Sequence, residues 1–105
     1  MVRFLPEVED YLENLVEILY QREYFGFEES SYDYVLALVN YILEFIAISN
    51  PMSVPIELES KGDFYIVYNS SKRTSWYILF EREDSHYLIT YITNNHQIES
   101  SYFGK

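Results

Sequence analysis

Apolar positions along the chain change period twice, and the changes divide it into elements. Val2 to Leu5 is short, β-prone and stopped by Pro6, the pattern of an edge strand leading into a helix. From Glu7 the apolar residues Val8, Leu12, Leu15, Val16 and Leu19 recur at helical spacing, with Tyr11 and Ile18 beside them, and this predicts an amphipathic helix to about Glu23. Tyr24-Phe25-Gly26-Phe27 reads as an aromatic turn, and Ser30 with Asp33 three positions on reads as a capping box. Tyr34, Val35, Leu38, Val39, Ile42, Phe45 and Ile46 then mark a second, more apolar helix, closed by Ser49-Asn50-Pro51 because the residue before a proline avoids the α region. Two helices so joined should form a hairpin.

After the second helix the period shortens. Pro51 to Pro55 reads as an extended connector, Ile56 to Ser60 alternates as a brief strand would, and Lys61-Gly62-Asp63 turns the chain. Phe64–Tyr68, Trp76–Glu81 and Tyr87–Thr93 are rich in Ile, Val, Thr and aromatic residues and are separated by short polar turns, so they predict a three-stranded antiparallel meander. Both faces of these strands are apolar, and only the helices upstream are long enough to cover one of them. The predicted fold is α+β in two layers: an N-terminal strand and helix hairpin packed on one face of an antiparallel three- to four-stranded meander sheet. The whole chain, residues 1–105, forms a single domain. Trp76, Tyr77, Tyr87 and Tyr91 alternate in direction, so half should enter the core and half should form an open aromatic surface, suited to stacked bases or to a peptide.

Composition narrows the chemistry. The absence of cysteine excludes disulfide scaffolds, CxxC redox pairs and thiolate nucleophiles. No basic leader pattern and no run of about 18 apolar residues occurs, so the expectation is a cytoplasmic protein without a membrane span. The net charge is −10, and residues 1–50 hold 10 acidic against 2 basic residues. Glu9, Glu13 and Glu17 form a row at steps of four that is either a solvated face or a docking surface for a basic partner. Gly26, Gly62 and Gly104 stand alone, which excludes phosphate-cradling glycine loops. His86 and His96 flank the last strand, roughly 30 Å apart by strand rise, and cannot share a metal. No cofactor or metal is expected. What remains near the ends of the sheet is polar: Lys72 and Arg73 in the first hairpin turn, Arg82 after the middle strand, and Asn94-Asn95-His96 closing the last. Together they offer positive charge, amide recognition and one imidazole, the minimum for positioning a phosphate and moving a proton.

The succession of a strand (VRFL), two helices and a meander reading FYIVY, WYILFE and YLITYITNNH resembles the RelE/ParE superfamily of toxins from bacterial type II toxin–antitoxin systems. The resemblance covers almost the whole chain, and its most suggestive piece is YLITYITNNH, an alternating strand that ends in histidine. It implies a toxin or toxin-derived protein, whether a ribosome-dependent mRNA endonuclease, a gyrase inhibitor or an inactive relative, held by a cognate antitoxin. Carried over by position, Arg82, His96 and Tyr102 would be catalytic, and Lys72, Arg73, Asn94 and Asn95 would bind substrate, all on one open face. Nuclease members are strongly basic, and this chain is not. Contact with nucleic acid is therefore expected to be weak or made only through the ribosome, and the antitoxin-like partner should bring a basic segment. The alternative is a non-catalytic acidic interaction module of the same fold.

Overall fold

The computed structural model describes residues 1–21 and 28–104. Strand β1 (Val2–Phe4) leads into helix α1 (Pro6–Gln21), and helix α2 (Glu28–Phe45) follows. Then come β2 (Met52–Ser53), a 3₁₀ turn (Ile56–Leu58), β3 (Phe64–Asn69), β4 (Ser75–Glu83), β5 (His86–Asn94) and a C-terminal 3₁₀ helix (Ile98–Gly104). The strands form one sheet in the order β1-β5-β4-β3-β2. As expected, β3, β4 and β5 are an antiparallel meander.

Four expectations need correction. The sheet is mixed and has five strands, because β1 pairs parallel to β5 and Met52–Ser53 joins the other edge antiparallel to β3. Bonds from the Met1 amine to Ser85 O (2.9 Å), from Tyr87 N to Met1 O (2.9 Å) and from Leu5 N to Ile89 O (3.0 Å) hold β1 in place. Ile56–Ser60 does not pair. Pro55, at φ −58°, enters a 3₁₀ turn in which Leu58 N donates to Pro55 O, and the apparent alternation reflects only the burial of Leu58. Helix α2 already includes Glu28, so Ser30 and Asp33 lie inside it rather than at its start. The aromatic turn Tyr24–Phe27 lies outside the described residues.

Helices α1 and α2 pack together over one face of the sheet. Val8, Leu12 and Leu15 of α1, Val35, Leu38 and Ile42 of α2, and Ile66, Trp76, Ile78, Phe80, Ile89 and Ile92 from the strands make the principal core. Ile89 and Ile92 both face the helices because the register slips by one residue, with Leu79 opposite Tyr91 but Phe80 opposite Ile89, so that Thr90 forms a bulge. Gly62 crosses directly over that bulge. A Cβ there would meet Thr90 Oγ1 at 2.6 Å.

The fourth correction concerns the other face, which is not an open aromatic surface. Leu58, Tyr65 and Leu79 are buried there under Val54 from the connector and Tyr102 and Phe103 from the C-terminal helix. Phe103 stacks on Tyr77 with centroids 4.2 Å apart and planes 1° from parallel, and meets Tyr65 edge-on. Where β2 stops and leaves the rest of β3 as an edge, Tyr41 Oη donates to Val67 O (2.8 Å) and ties α2 to that edge.

Candidate functional site

The end of the sheet formed by the β3–β4 turn and the last residues of β5 gathers several polar side chains beside a cleft. The turn is built by short-range chemistry: Ser70 N and Ser71 N donate to Thr74 O, and Arg73 N donates to Ser71 Oγ (3.2 Å). Asn95 fastens the turn to β5. Its Nδ2 donates to Arg73 O (2.9 Å), its Oδ1 accepts from Ser75 N (3.0 Å), and its own N donates to Ser75 O (3.0 Å). Asn94 Oδ1 accepts from His96 N (2.8 Å), which curls the chain so that His96 Nε2 lies 3.2 Å from Thr74 Oγ1.

Behind this rim is a cleft of about 350 Å³ between the sheet end and the helices. Leu15, Ile18 and Leu19 of α1 line one side, Tyr34 and Trp76 the base, and Ser71, Thr74, Asn94 and His96 the mouth. A chain of hydrogen bonds fixes the base: Trp76 Nε1 donates to Tyr34 Oη (2.9 Å), Tyr34 Oη pairs with Ser70 Oγ (2.6 Å), and Ser70 Oγ reaches Thr74 O (3.5 Å). The buried indole and the tyrosine it bonds are thereby linked to the turn that carries Lys72 and Arg73. Chemically the arrangement joins an aromatic and aliphatic recess to an imidazole paired with a hydroxyl, with two exposed cations in the adjoining turn.

The structure brings five of the seven expected site residues to this end: Lys72, Arg73, Asn94, Asn95 and His96. Two lie elsewhere. Arg82 pairs with Tyr87 near the opposite end of β4, on the order of 23 Å along the strand from Ser75, and its guanidinium sits 4.7 Å from the Phe64 ring centroid. Tyr102 is in the C-terminal helix, half-buried with the cluster on the face away from α1 and α2. The expected convergence of Arg82, His96 and Tyr102 on one open face therefore does not occur. Asn95 spends both ends of its amide on the backbone, and Asn94 spends its carbonyl there.

Thr74, Tyr34 and Ser70 also belong to the site, beyond the residues expected from the sequence. Thr74 lay within the turn already singled out, whereas Tyr34 was absorbed into the apolar pattern of the second helix, where nothing local reveals what its hydroxyl meets. A second polar group was missed as well. Glu99 Oε1 accepts from Tyr91 Oη (2.7 Å) and Thr93 Oγ1 (2.9 Å) beside a recess of about 320 Å³ that Glu7 and Tyr11 also line. The Tyr91 bond holds the Glu99 carboxyl below its ordinary range, while burial and then Glu99 push the Tyr91 phenol up to about 12. Lys61 Nζ lies 4.9 Å from the Tyr91 ring centroid. This group pins the C-terminal helix to β5.

Among the described residues no three His, Asp or Glu side chains gather closely enough to hold a metal ion, and no helix is long and apolar enough to cross a membrane. No family model matches the chain, and no curated protein or solved structure matches it either.

Proposed function

We propose that the protein is a RelE/ParE-like toxin, or a toxin-derived protein, of a type II toxin–antitoxin system, acting in the cytoplasm through the sheet end at His96. The observation that carries this reading is the contact of His96 Nε2 with Thr74 Oγ1 at the mouth of the cleft, one residue from Arg73 and two from Lys72. For a phosphodiester substrate, Lys72 and Arg73 supply the charge that holds the phosphate and His96 exchanges the proton, with Thr74 orienting the ring. Arg82 and Tyr102 have no part in this version of the site. The order of strand, two helices and meander, with both helices on one face, supports the same reading at the level of the fold.

With a net charge of −10, two cations do not hold free RNA at physiological salt, so substrate reaches the site only when another assembly, such as the ribosome, presents it. Expression from a tight inducible promoter in a bacterial host tests the proposal. Growth stops on induction and resumes when the neighbouring gene is co-expressed; unimpeded growth with soluble protein present contradicts it. The acidic first half favours the second reading, a non-catalytic module that binds a basic protein, and that reading predicts no arrest under the same induction.

A further inference from the structure

Helix α2 carries more apolar surface than its core uses. Ser31, Val35, Leu38 and Ile42 face the interior, yet Tyr32, Leu36 and Leu43 are 57%, 40% and 50% exposed. With half-buried Val39 they stand at steps of four, three and four. At helical pitch those four side chains fall within an arc of about 60°, forming one row along three turns, roughly a quarter-turn or more around from the core line. Single exposed apolar residues are ordinary, but a row with an average step of about 3.7, close to the 3.6 residues of one helical turn, keeps to one side of the helix and makes a stripe that a second helix can cover.

Charge decides what kind of helix fits. The described sequence of α2 has no Lys or Arg, and exposed Asp33 and Glu44 flank the row. An antiparallel two-fold pairing of the row with itself centres between residues 37 and 38, which sets Asp33 of one copy opposite Ile42 of the other and within a turn of its Glu44. That like-charge approach occurs twice, between two chains of −10. A helix with Lys and Arg beside its apolar positions meets the same flanks with attraction, and the exposed Glu9, Glu13 and Glu17 of α1 extend the negative potential over the helix layer.

We propose that the Tyr32–Leu43 row of α2 is a docking site for a basic amphipathic helix of another protein. The inference draws nothing from His96 or the sheet end, so it stands or falls separately from the activity proposed there. The probes are synthetic three-heptad peptides with leucine at the a and d positions and either Lys/Arg or Glu at the flanking positions. They are titrated into the isotope-labelled full-length protein and followed by amide shifts and by fluorescence anisotropy. The basic peptide binds, shifts the amides of residues 32–43 and weakens as salt rises, whereas the acidic peptide binds about tenfold less tightly or not at all. Leu36→Gln with Leu43→Gln, changes at exposed positions whose fold is checked by circular dichroism, weakens the basic peptide by about tenfold, and His96→Ala leaves it unchanged. Equal binding of both peptides, no binding of the basic one, or insensitivity to the double substitution overturns the proposal. So does a wild-type dimer in sedimentation that the double substitution makes monomeric, because a second copy would then occupy the row.

Discussion

Individual residues carry the sharpest consequences of the fold. Gly62 is required by close approach, since an added Cβ meets Thr90 Oγ1 at 2.6 Å and Leu79 Cβ at 3.2 Å. Gly62→Ala, which at a roomy site stabilises by restricting the unfolded chain, should here destabilise by about 1 to 3 kcal/mol in chemical denaturation. Ile42 is fully buried between the helices and the sheet, and Ile42→Ala should cost roughly 2 to 5 kcal/mol. Glu99 imposes a pH dependence. Its carboxyl is held low chiefly by the Tyr91 hydrogen bond, so its contribution to stability is present at neutral pH and is lost as pH falls through its depressed folded-state value. Wild type should therefore lose more stability on acidification than Glu99→Gln, and parallel curves in denaturant titrations across the acid range would contradict this. Only part of this is legible locally: Ile42 belongs to the apolar stripe of the second helix, whereas Asn94 and Asn95, expected to bind substrate, turn side-chain atoms to the backbone instead. The pairing of His96 with Thr74 was not legible, because 22 residues separate them and only the β4–β5 register brings them together.

At the scale of elements, periodicity sufficed where a segment is long and one-sided. The two helices and the strands of the meander follow from it, whereas Ile56–Ser60 alternates without being a strand because Pro55 starts a tighter turn. The direction of β1 was also hidden, since a three-residue strand carries no signal for parallel or antiparallel pairing. The C-terminal segment carries no periodic signal at all, being polar in sequence except for Tyr102-Phe103. That exception is its anchor: Phe103 lies flat on Tyr77, and Glu99 holds the start of the segment to β5. Phe103→Ala should cost about 1 to 3 kcal/mol, less than a fully buried phenylalanine because the ring is half-exposed, and should raise binding of a hydrophobic dye as Tyr65 and Tyr77 are uncovered. Unchanged dye binding would mean that the segment does not shield this face.

The whole molecule pairs a strongly acidic helix layer with a sheet whose cations are few and spread between its two ends. Its affinity for free single- or double-stranded nucleic acid at physiological salt should be weaker than about 1 μM, measured by anisotropy over a salt series. The element order and the helix-on-sheet layering were readable from the sequence. The division of the cations follows from strand rise alone, since Lys72 and Arg82 stand at opposite ends of one strand, and only the resemblance puts both in one site. That separation underlies the proposal that the end of the sheet at His96, without Arg82, is the working site. The most direct measurement is the growth of a bacterial host after induction of wild type, His96→Ala and Arg82→Ala, with the soluble amount and circular dichroism spectrum of each protein matched. Wild type and Arg82→Ala should arrest growth, and growth should continue with His96→Ala. Arrest by His96→Ala as fast as by wild type, or its loss with Arg82→Ala alone, would contradict it.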